Sequence, residues 1–245
     1  MHKEYKHIAE DGQKAVLFIH GIVGTPNHFR AFLPLVPQGV SVWNLLLDGH
    51  GKSVRDFSKT SMKKWESQVQ AAVDELSATH QEIYIMAHSM GTLFAMEQAC
   101  KNDKIRGLFL LAVPLRVAVK PRAFAAGIKV CFDKVREDDW FAMATKECCG
   151  VQPDRNPFHY IGWIPRYLEL FRKMRQTRKR LPLLTTPTLA FQSGRDSMVS
   201  ARAVKLLQKN PAITVTVLPE SDHNYYAPQE LAMLLEHFEQ WRKML

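Results

Sequence analysis

The sequence predicts an α/β fold: a doubly wound, mostly parallel sheet carrying one helical insertion. Three observations predict it. Six strand-length runs rich in apolar residues recur along the chain, and some of them, Ala15-Val16-Leu17-Phe18-Ile19 first, are continuous rather than alternating. Continuous runs mark strands buried on both faces, the condition of a parallel sheet. Stretches of helical period separate most of these runs, as a sheet wound on both sides requires. Residues 114–187 then break the rhythm with a tract rich in Lys, Arg and aromatics, too long for an ordinary loop.

Taken in order, residues 1–14 are polar and predict no more than a short edge strand. Ala15-Val16-Leu17-Phe18-Ile19 is the first buried strand, and it ends in His20-Gly21-Ile22-Val23-Gly24-Thr25-Pro26. Thr25 as cap and Pro26 as first helical residue predict a helix from Asn27 to Leu35. Residues 40–47 are the next strand, followed by Asp48-Gly49-His50-Gly51-Lys52-Ser53. Ser61 caps a helix to about Thr79, with Trp65, Val69, Ala72, Val73 and Leu76 on one stripe.

Residues 82–87 and 107–113 are two further strands, 188–193 and 213–218 the last two, and helices are expected over 201–208 and 228–243. Residues 1–113 and 188–245 therefore form the core domain, and 114–187 a helical cap or lid. Within that insertion Ala125, Ile128, Phe132 and Val135 fall at helical spacing, which predicts a core-packed stripe.

Composition narrows the classes. A hydrophobic share of 46% and a charged share of 23% are ordinary for a globular chain of 245 residues. The start of the chain holds charges throughout, and no run approaches the roughly 20 apolar residues of a membrane span. Four cysteines without C-x-x-C spacing predict a reduced, cytoplasmic protein. The net charge of +9 is concentrated: 15 basic and 7 acidic side chains lie between Leu115 and Thr185. The run 172–180 is first a solvated face; attraction of an anionic lipid surface or an acidic substrate is the sharper reading. No nucleic-acid recognition motif accompanies the charge, so no nucleic-acid partner is expected.

The chemistry centres on Ala87-His88-Ser89-Met90-Gly91. A strand leads in and a helix leads out, with Ser89 at a one-residue corner. Such a corner strains the backbone, so the positions two before and two after the serine must be small. Ala87 and Gly91 meet that need. A serine hydroxyl needs a base, and a histidine base needs a carboxylate to hold its tautomer. In an open α/β sheet these groups collect beyond the carboxyl ends of the strands. Strand 188–193 runs into Asp196, and strand 213–218 into His223, giving the order Ser89, Asp196, His223. Each has a plainer alternative. Ser89 could cap a helix, His223 could be a surface histidine, and Asp222 or Glu220 could replace Asp196. Asp222 adjoins His223 in sequence, and neighbouring side chains usually diverge. The backbone N–H of Met90, at a helix start, is a candidate oxyanion donor. No metal site is expected, because H-E-x-x-H or comparable spacing is missing.

With His20-Gly21-Ile22-Val23-Gly24, Asp48-Gly49-His50-Gly51-Lys52-Ser53, the serine corner, Gly194-Arg195-Asp196 and Asp222-His223 in this order, the chain resembles α/β-hydrolases of the carboxylesterase and monoacylglycerol-lipase type, a serine-aminopeptidase-like group. The likeness covers everything except the insertion. It implies an acyl-enzyme ester hydrolase needing no cofactor, with the Ile22 N–H as second oxyanion donor. His20, Gly21, His88 and Gly91 would support the site, and His50 would be structural. A small-molecule ester with an apolar acyl chain is the implied substrate. A thioesterase, an amidase, a carbon–carbon bond hydrolase or a non-catalytic binding protein would fit the same residues. Oligomeric state is not legible.

Overall fold

The computed structural model describes residues 2–10, 12–132 and 134–244. Among these residues seven strands form one sheet in the order β1-β3-β2-β4-β5-β6-β7. They are β1 (Tyr5–His7), β2 (Lys14–Ile19), β3 (Ser41–Asn44), β4 (Glu82–His88), β5 (Ile105–Leu111), β6 (Thr188–Ser193) and β7 (Ile213–Leu218). Only β1 runs antiparallel, pairing with β3 at the edge. Both faces of the sheet are covered. On β2, Ala15, Leu17 and Ile19 join one apolar cluster while Val16 and Phe18 join the other. That is the physical reason β2 is apolar at every position from Ala15 to Ile19 rather than at alternate ones.

Among the described residues eight α-helices accompany the strands: α1 (Val54–Ser58), α2 (Met62–Thr79), α3 (Met90–Ala99), α4 (Pro121–Cys131), α5 (Trp140–Cys148), α6 (Ile164–Arg180), α7 (Arg202–Leu207) and α8 (Pro228–Trp241). Ser61 accepts from the Lys64 N–H and caps α2, whose buried stripe is Trp65, Val69, Ala72, Val73 and Leu76. The helix expected over 27–35 is instead two 3₁₀ turns, Pro26–Phe29 and Leu33–Leu35. Pro34 cannot donate to a preceding turn, and the segment breaks there. Helix α1 was not expected. It is short, but a full capping box between Ser53 and Asp56 starts it.

Helices α4, α5 and α6 fill the insertion between β5 and β6, together with a 3₁₀ turn at Pro157–Trp163. The stripe predicted as core on α4 is a surface. Ile128 is 46% exposed and Phe132 45%, and the buried side chains are Ala126 and Val130. Helical spacing identifies a shared face but not whether anything covers it. The basic run on α6 is mixed too, with Lys173 and Thr177 buried in it.

Candidate active site

Strand β4 delivers Ser89 at its carboxyl end, and α3 begins at the next residue. Ser89 has φ 50° and ψ −122°, a conformation that an L-residue adopts only under constraint. Its neighbours explain how the corner closes. A Cβ on Gly91 would lie 2.1 Å from the Ile19 carbonyl oxygen, and one on Gly21 2.9 Å from the Ser89 Cβ. Gly91 is therefore crowded by the backbone of Ile19 and His20, and Gly21 by the serine's own Cβ. Ala87 is wholly buried between its partners Ile19 and Leu110.

Asp196 and His223 stand on the loops that follow β6 and β7. The structure brings both to the serine. His223 Nε2 lies 3.1 Å from Ser89 Oγ, and His223 Nδ1 lies 3.0 Å from Asp196 Oδ2. Ser89, Asp196 and His223 are all buried. Asp196 Oδ1 accepts from the N–H groups of Met198 (2.8 Å) and Val199 (2.7 Å), which fixes the carboxylate plane. Burial opposes its charge, yet the adjacent His223 and these backbone donors hold the carboxyl below its ordinary value. Burial likewise works against a charged His223, but Asp196, and then Asp222, raise it above the ordinary histidine value. An Asp196-bound Nδ1–H leaves Nε2 as the acceptor toward the hydroxyl.

Asp222, the weaker alternative from sequence, is turned elsewhere. Its Oδ1 accepts 2.7 Å bonds from the backbone N–H groups of Ser197 and His223, and its Oδ2 is ion-paired with Arg122. Glu220 is exposed and pairs with Arg195. Neither bonds to the imidazole.

The turn after β2 carries Ile22 and two of the supporting residues, His20 and Gly21. His20 Nε2 accepts from the Leu47 N–H at 3.1 Å, so its Nδ1–H donates to the Gly21 carbonyl at 2.9 Å. This buried ring, kept neutral by desolvation and the nearby His50, braces the turn. Val23 follows in the left-handed region, φ 58°, a costly choice for a β-branched residue. Met90 is the first residue of α3, so its N–H has no acceptor within the helix. Its side chain lies wholly in the core.

A layer of rings lies behind the imidazole. His88 Nε2 donates to the His223 carbonyl at 2.9 Å and stacks on His28 with ring centroids 3.7 Å apart. His28 meets the Tyr226 hydroxyl at 3.3 Å and the Cys148 thiol at 3.6 Å. The sequence does not single out His28, Tyr226 and Cys148, since nothing local to any of them marks a meeting of three distant segments. His50 donates to the Leu47 carbonyl at 3.1 Å and sits edge-on to His20. Among the described residues no group of three His, Cys, Asp or Glu side chains is placed to hold a metal ion. The four cysteines are unpaired.

A mostly parallel sheet with a strained serine between β4 and α3, next to a histidine–aspartate pair from later loops, defines the class of α/β-hydrolases. Comparison with known proteins gives the family: the alpha/beta hydrolase family profile matches residues 16–234, and the chain belongs to it. A thermostable monoacylglycerol lipase from Bacillus sp. (strain H-257) is 30% identical over 193 residues, 78% of this chain and 74% of that one. Among solved structures, one from the metagenome-derived lipolytic enzymes LipS and LipT matches with TM-score 0.75 at 18% identity, covering 100% of this chain and 98% of its own. The monoacylglycerol lipase of Paleococcus ferrophilus matches with TM-score 0.70 at 16% identity, with 98% of each chain covered.

Proposed function

We propose that this protein is a serine hydrolase of carboxylic esters, acting through an acyl-enzyme with Ser89 as nucleophile, His223 as base and Asp196 as its partner. One observation carries the reading: the unbroken relay from Ser89 Oγ through both nitrogens of His223 to Asp196 Oδ2, with steps of 3.1 and 3.0 Å. His223 Nε2 takes the hydroxyl proton as Oγ attacks the ester carbonyl. The N–H groups of Ile22 and Met90 receive the charge that develops on the carbonyl oxygen. The imidazolium then returns its proton to the departing alcohol. A water deprotonated by the same nitrogen attacks the acyl-serine and frees the acid. No step calls for a cofactor.

The insertion 114–187 acts as a cap over this chemistry. Its Gly150 donates to the Val23 carbonyl at 2.7 Å and accepts from the Gly51 N–H at 2.5 Å, so it rests on the turn that carries Ile22. Tyr160, Trp163 and Tyr167 from the insertion pack with Ile22 and Val23 against one apolar cluster. That seam suits an ester with an apolar acyl chain, such as a monoacylglycerol. The insertion exposes Phe124, Ile128, Phe158 and Leu168 and carries most of the chain's excess basic charge, a combination suited to an anionic lipid surface. Four unpaired thiols fit the reducing cytoplasm.

The deciding experiment labels the protein with a fluorophosphonate and measures turnover of p-nitrophenyl esters from two to sixteen carbons, with a thioester counterpart. Stoichiometric label on Ser89, ester turnover and a Ser89→Ala variant at least about 10³-fold slower are expected. Unchanged turnover in Ser89→Ala overturns the assignment.

A further inference from the structure

Between β5 and α4 the chain runs along the loop that carries Asp196. The Ala118 N–H donates to the Met198 carbonyl at 2.9 Å, and the Lys120 N–H to the Ser197 carbonyl at 2.7 Å. The Ser200 N–H donates back to the Arg116 carbonyl at 2.8 Å, and Val117 bridges Val199. The first residues of the insertion are thus zipped to the Asp196 loop. Arg122, on the first turn of α4, then reaches past that loop. Its guanidinium donates to the Arg195 carbonyl and pairs with Asp222 Oδ2. The same guanidinium stands 5.3 Å from the Phe141 ring of α5.

The carboxylate it meets is fully buried, with 0% of its side chain exposed. Through Oδ1 that carboxylate holds one N–H from each of two loops, Ser197 beside Asp196 and His223 itself. A buried carboxylate is strongly disfavoured without a partner charge, and removing one member of such a pair leaves the other stranded. Arg122 is the cation that the structure supplies.

We propose that Arg122 is a positioning residue: through the Asp222 carboxylate it clamps the Asp196 loop to the His223 loop, so that the proton relay depends on α4 being seated. This rests on the reading of Ser89, His223 and Asp196 as the relay. It assigns the insertion a second task beyond shaping the substrate seam. When α4 is in place, the spacing of His223 to both its partners is fixed from outside the sheet. When α4 moves away, Asp222 loses its counter-charge and the two loops lose a common anchor. A misplacement of the order of 1 Å at a relay of this kind is enough to slow the chemistry heavily.

Charge gives the clamp a signature. Facing the imidazole are Asp196 from the loop after β6, Asp222 from its own loop, His88 from the end of β4 and His28 from the turn after β2. Tyr226 and Cys148 stand behind His28, and Lys120 reaches the Arg195 carbonyl beside Arg122. Arg122 offsets the negative charge of Asp222. Its loss therefore favours the imidazolium and moves the acid limb of the kcat/KM profile to higher pH. Loss of the Asp222 charge moves that limb to lower pH.

The test uses the full chain with a short, soluble p-nitrophenyl ester. Arg122→Met, Arg122→Lys, Asp222→Asn and the double variant Arg122→Met with Asp222→Asn are compared for kcat, KM and pH profile. Arg122→Met is expected to lose roughly tenfold in kcat with little change in KM, and Arg122→Lys to recover most of it. The double variant should be no slower than the worse single one, because both act through one contact. The acid limbs of the two single variants should move in opposite directions. Independent losses that multiply, or an Arg122→Met enzyme with unaltered kcat and profile, overturn the inference. With Ser89→Ala inactive, those results overturn the clamp alone; a Ser89→Ala enzyme that keeps its rate overturns the relay reading and the clamp with it.

Discussion

His88 Nε2 donates to the backbone carbonyl of His223 at 2.9 Å, so the residue just before the corner serine holds the loop that carries the imidazole. The ring is buried, stacked on His28, and kept neutral by desolvation and then by the neighbouring His28 and His223. The proposed nucleophile and its base are thus tied by backbone and side chain on both sides of the reacting atoms. His88→Ala removes the tie and opens a void against His28. The expected result is a folded enzyme with kcat on p-nitrophenyl butyrate lowered about 10- to 100-fold. His88→Asn or Gln, which can still donate to that carbonyl, should recover part of the loss. An unaltered kcat in His88→Ala would show that the tie does not position the imidazole.

The pH dependence of the reaction follows from the pair at the other end of the ring. Burial alone would lower His223, but Asp196 outweighs it and raises the imidazole above its ordinary value. Only the neutral ring can take the serine proton, so kcat/KM should climb with pH through a midpoint above 6.5. Asp196→Asn removes the raising charge and the tautomer control together. It should lower kcat by about 10⁴-fold and move the residual limb below that of the parent. The pair also stabilises the fold with a defined sign. A histidine raised by folding stabilises fully below 6.5 and loses that contribution as the pH climbs through its raised value. A pH–rate profile centred below 6.5 contradicts this account.

Much of this was legible in the chain. The central strands β2, β4 and β5 appear in sequence as largely uninterrupted apolar runs because the sheet is covered on both faces there, as the split of Val16 and Phe18 from Leu17 and Ile19 shows, whereas β7 alternates Thr with apolar residues and is buried only at its two ends. The serine corner was readable because Gly91 has no room for a Cβ beside the Ile19 carbonyl. The preference for Asp196 over Asp222 rests, in sequence, only on the divergence of neighbouring side chains. The choice itself depends on which carboxylate oxygen faces a ring and which faces backbone N–H groups, a matter of loop geometry. Pairings such as Arg122 with Asp222 join residues 100 positions apart, and no local pattern announces them. The α4 stripe misled because periodicity reports a face, and Ile128 and Phe132 are exposed rather than in the core.

Four other histidines predict acid sensitivity of the fold. Burial, followed by repulsion from neighbouring histidines for all but His50, lowers His20 and His88 well below 6.5, His28 to about 3 and His50 to about 4. Below 6.5 the unfolded chain takes up protons at these sites that the folded protein does not, so stability falls as the pH falls. Each fully unprotonated site costs about 1.4 kcal/mol per pH unit in that range. His223 does not offset this fall, because its own contribution is already fully present below 6.5. Urea midpoints should therefore drop steeply from pH 6.5 to pH 5. A flat midpoint across that interval would mean that these rings take up protons in the folded state.

Lys173 sets a different test, of how α6 is held to the core. It is only 3% exposed, bonds to Glu66 of α2 at 2.7 Å and pairs with Glu97 of α3. Burial alone would raise the Glu97 carboxyl, but Lys101 and Lys173 bring it down to about 2. Lys173→Met deletes a cation and leaves both carboxylates behind, at a site where the ammonium also lies 5.3 Å from the Phe94 ring. Breaking a buried pair from one side costs about 3–5 kcal/mol. Glu97 retains Lys101 and, at 3.1 Å, Arg180, which places the loss at the lower end. For a chain of this length about 3 kcal/mol corresponds to a fall in Tm of roughly 6–12 °C. Replacing Glu97 by Gln in the same chain removes the stranded charge and should return part of that stability. If Lys173→Met melts with the parent, the pair contributes nothing to seating α6; if the double variant melts lower still, the loss comes from packing rather than from charge.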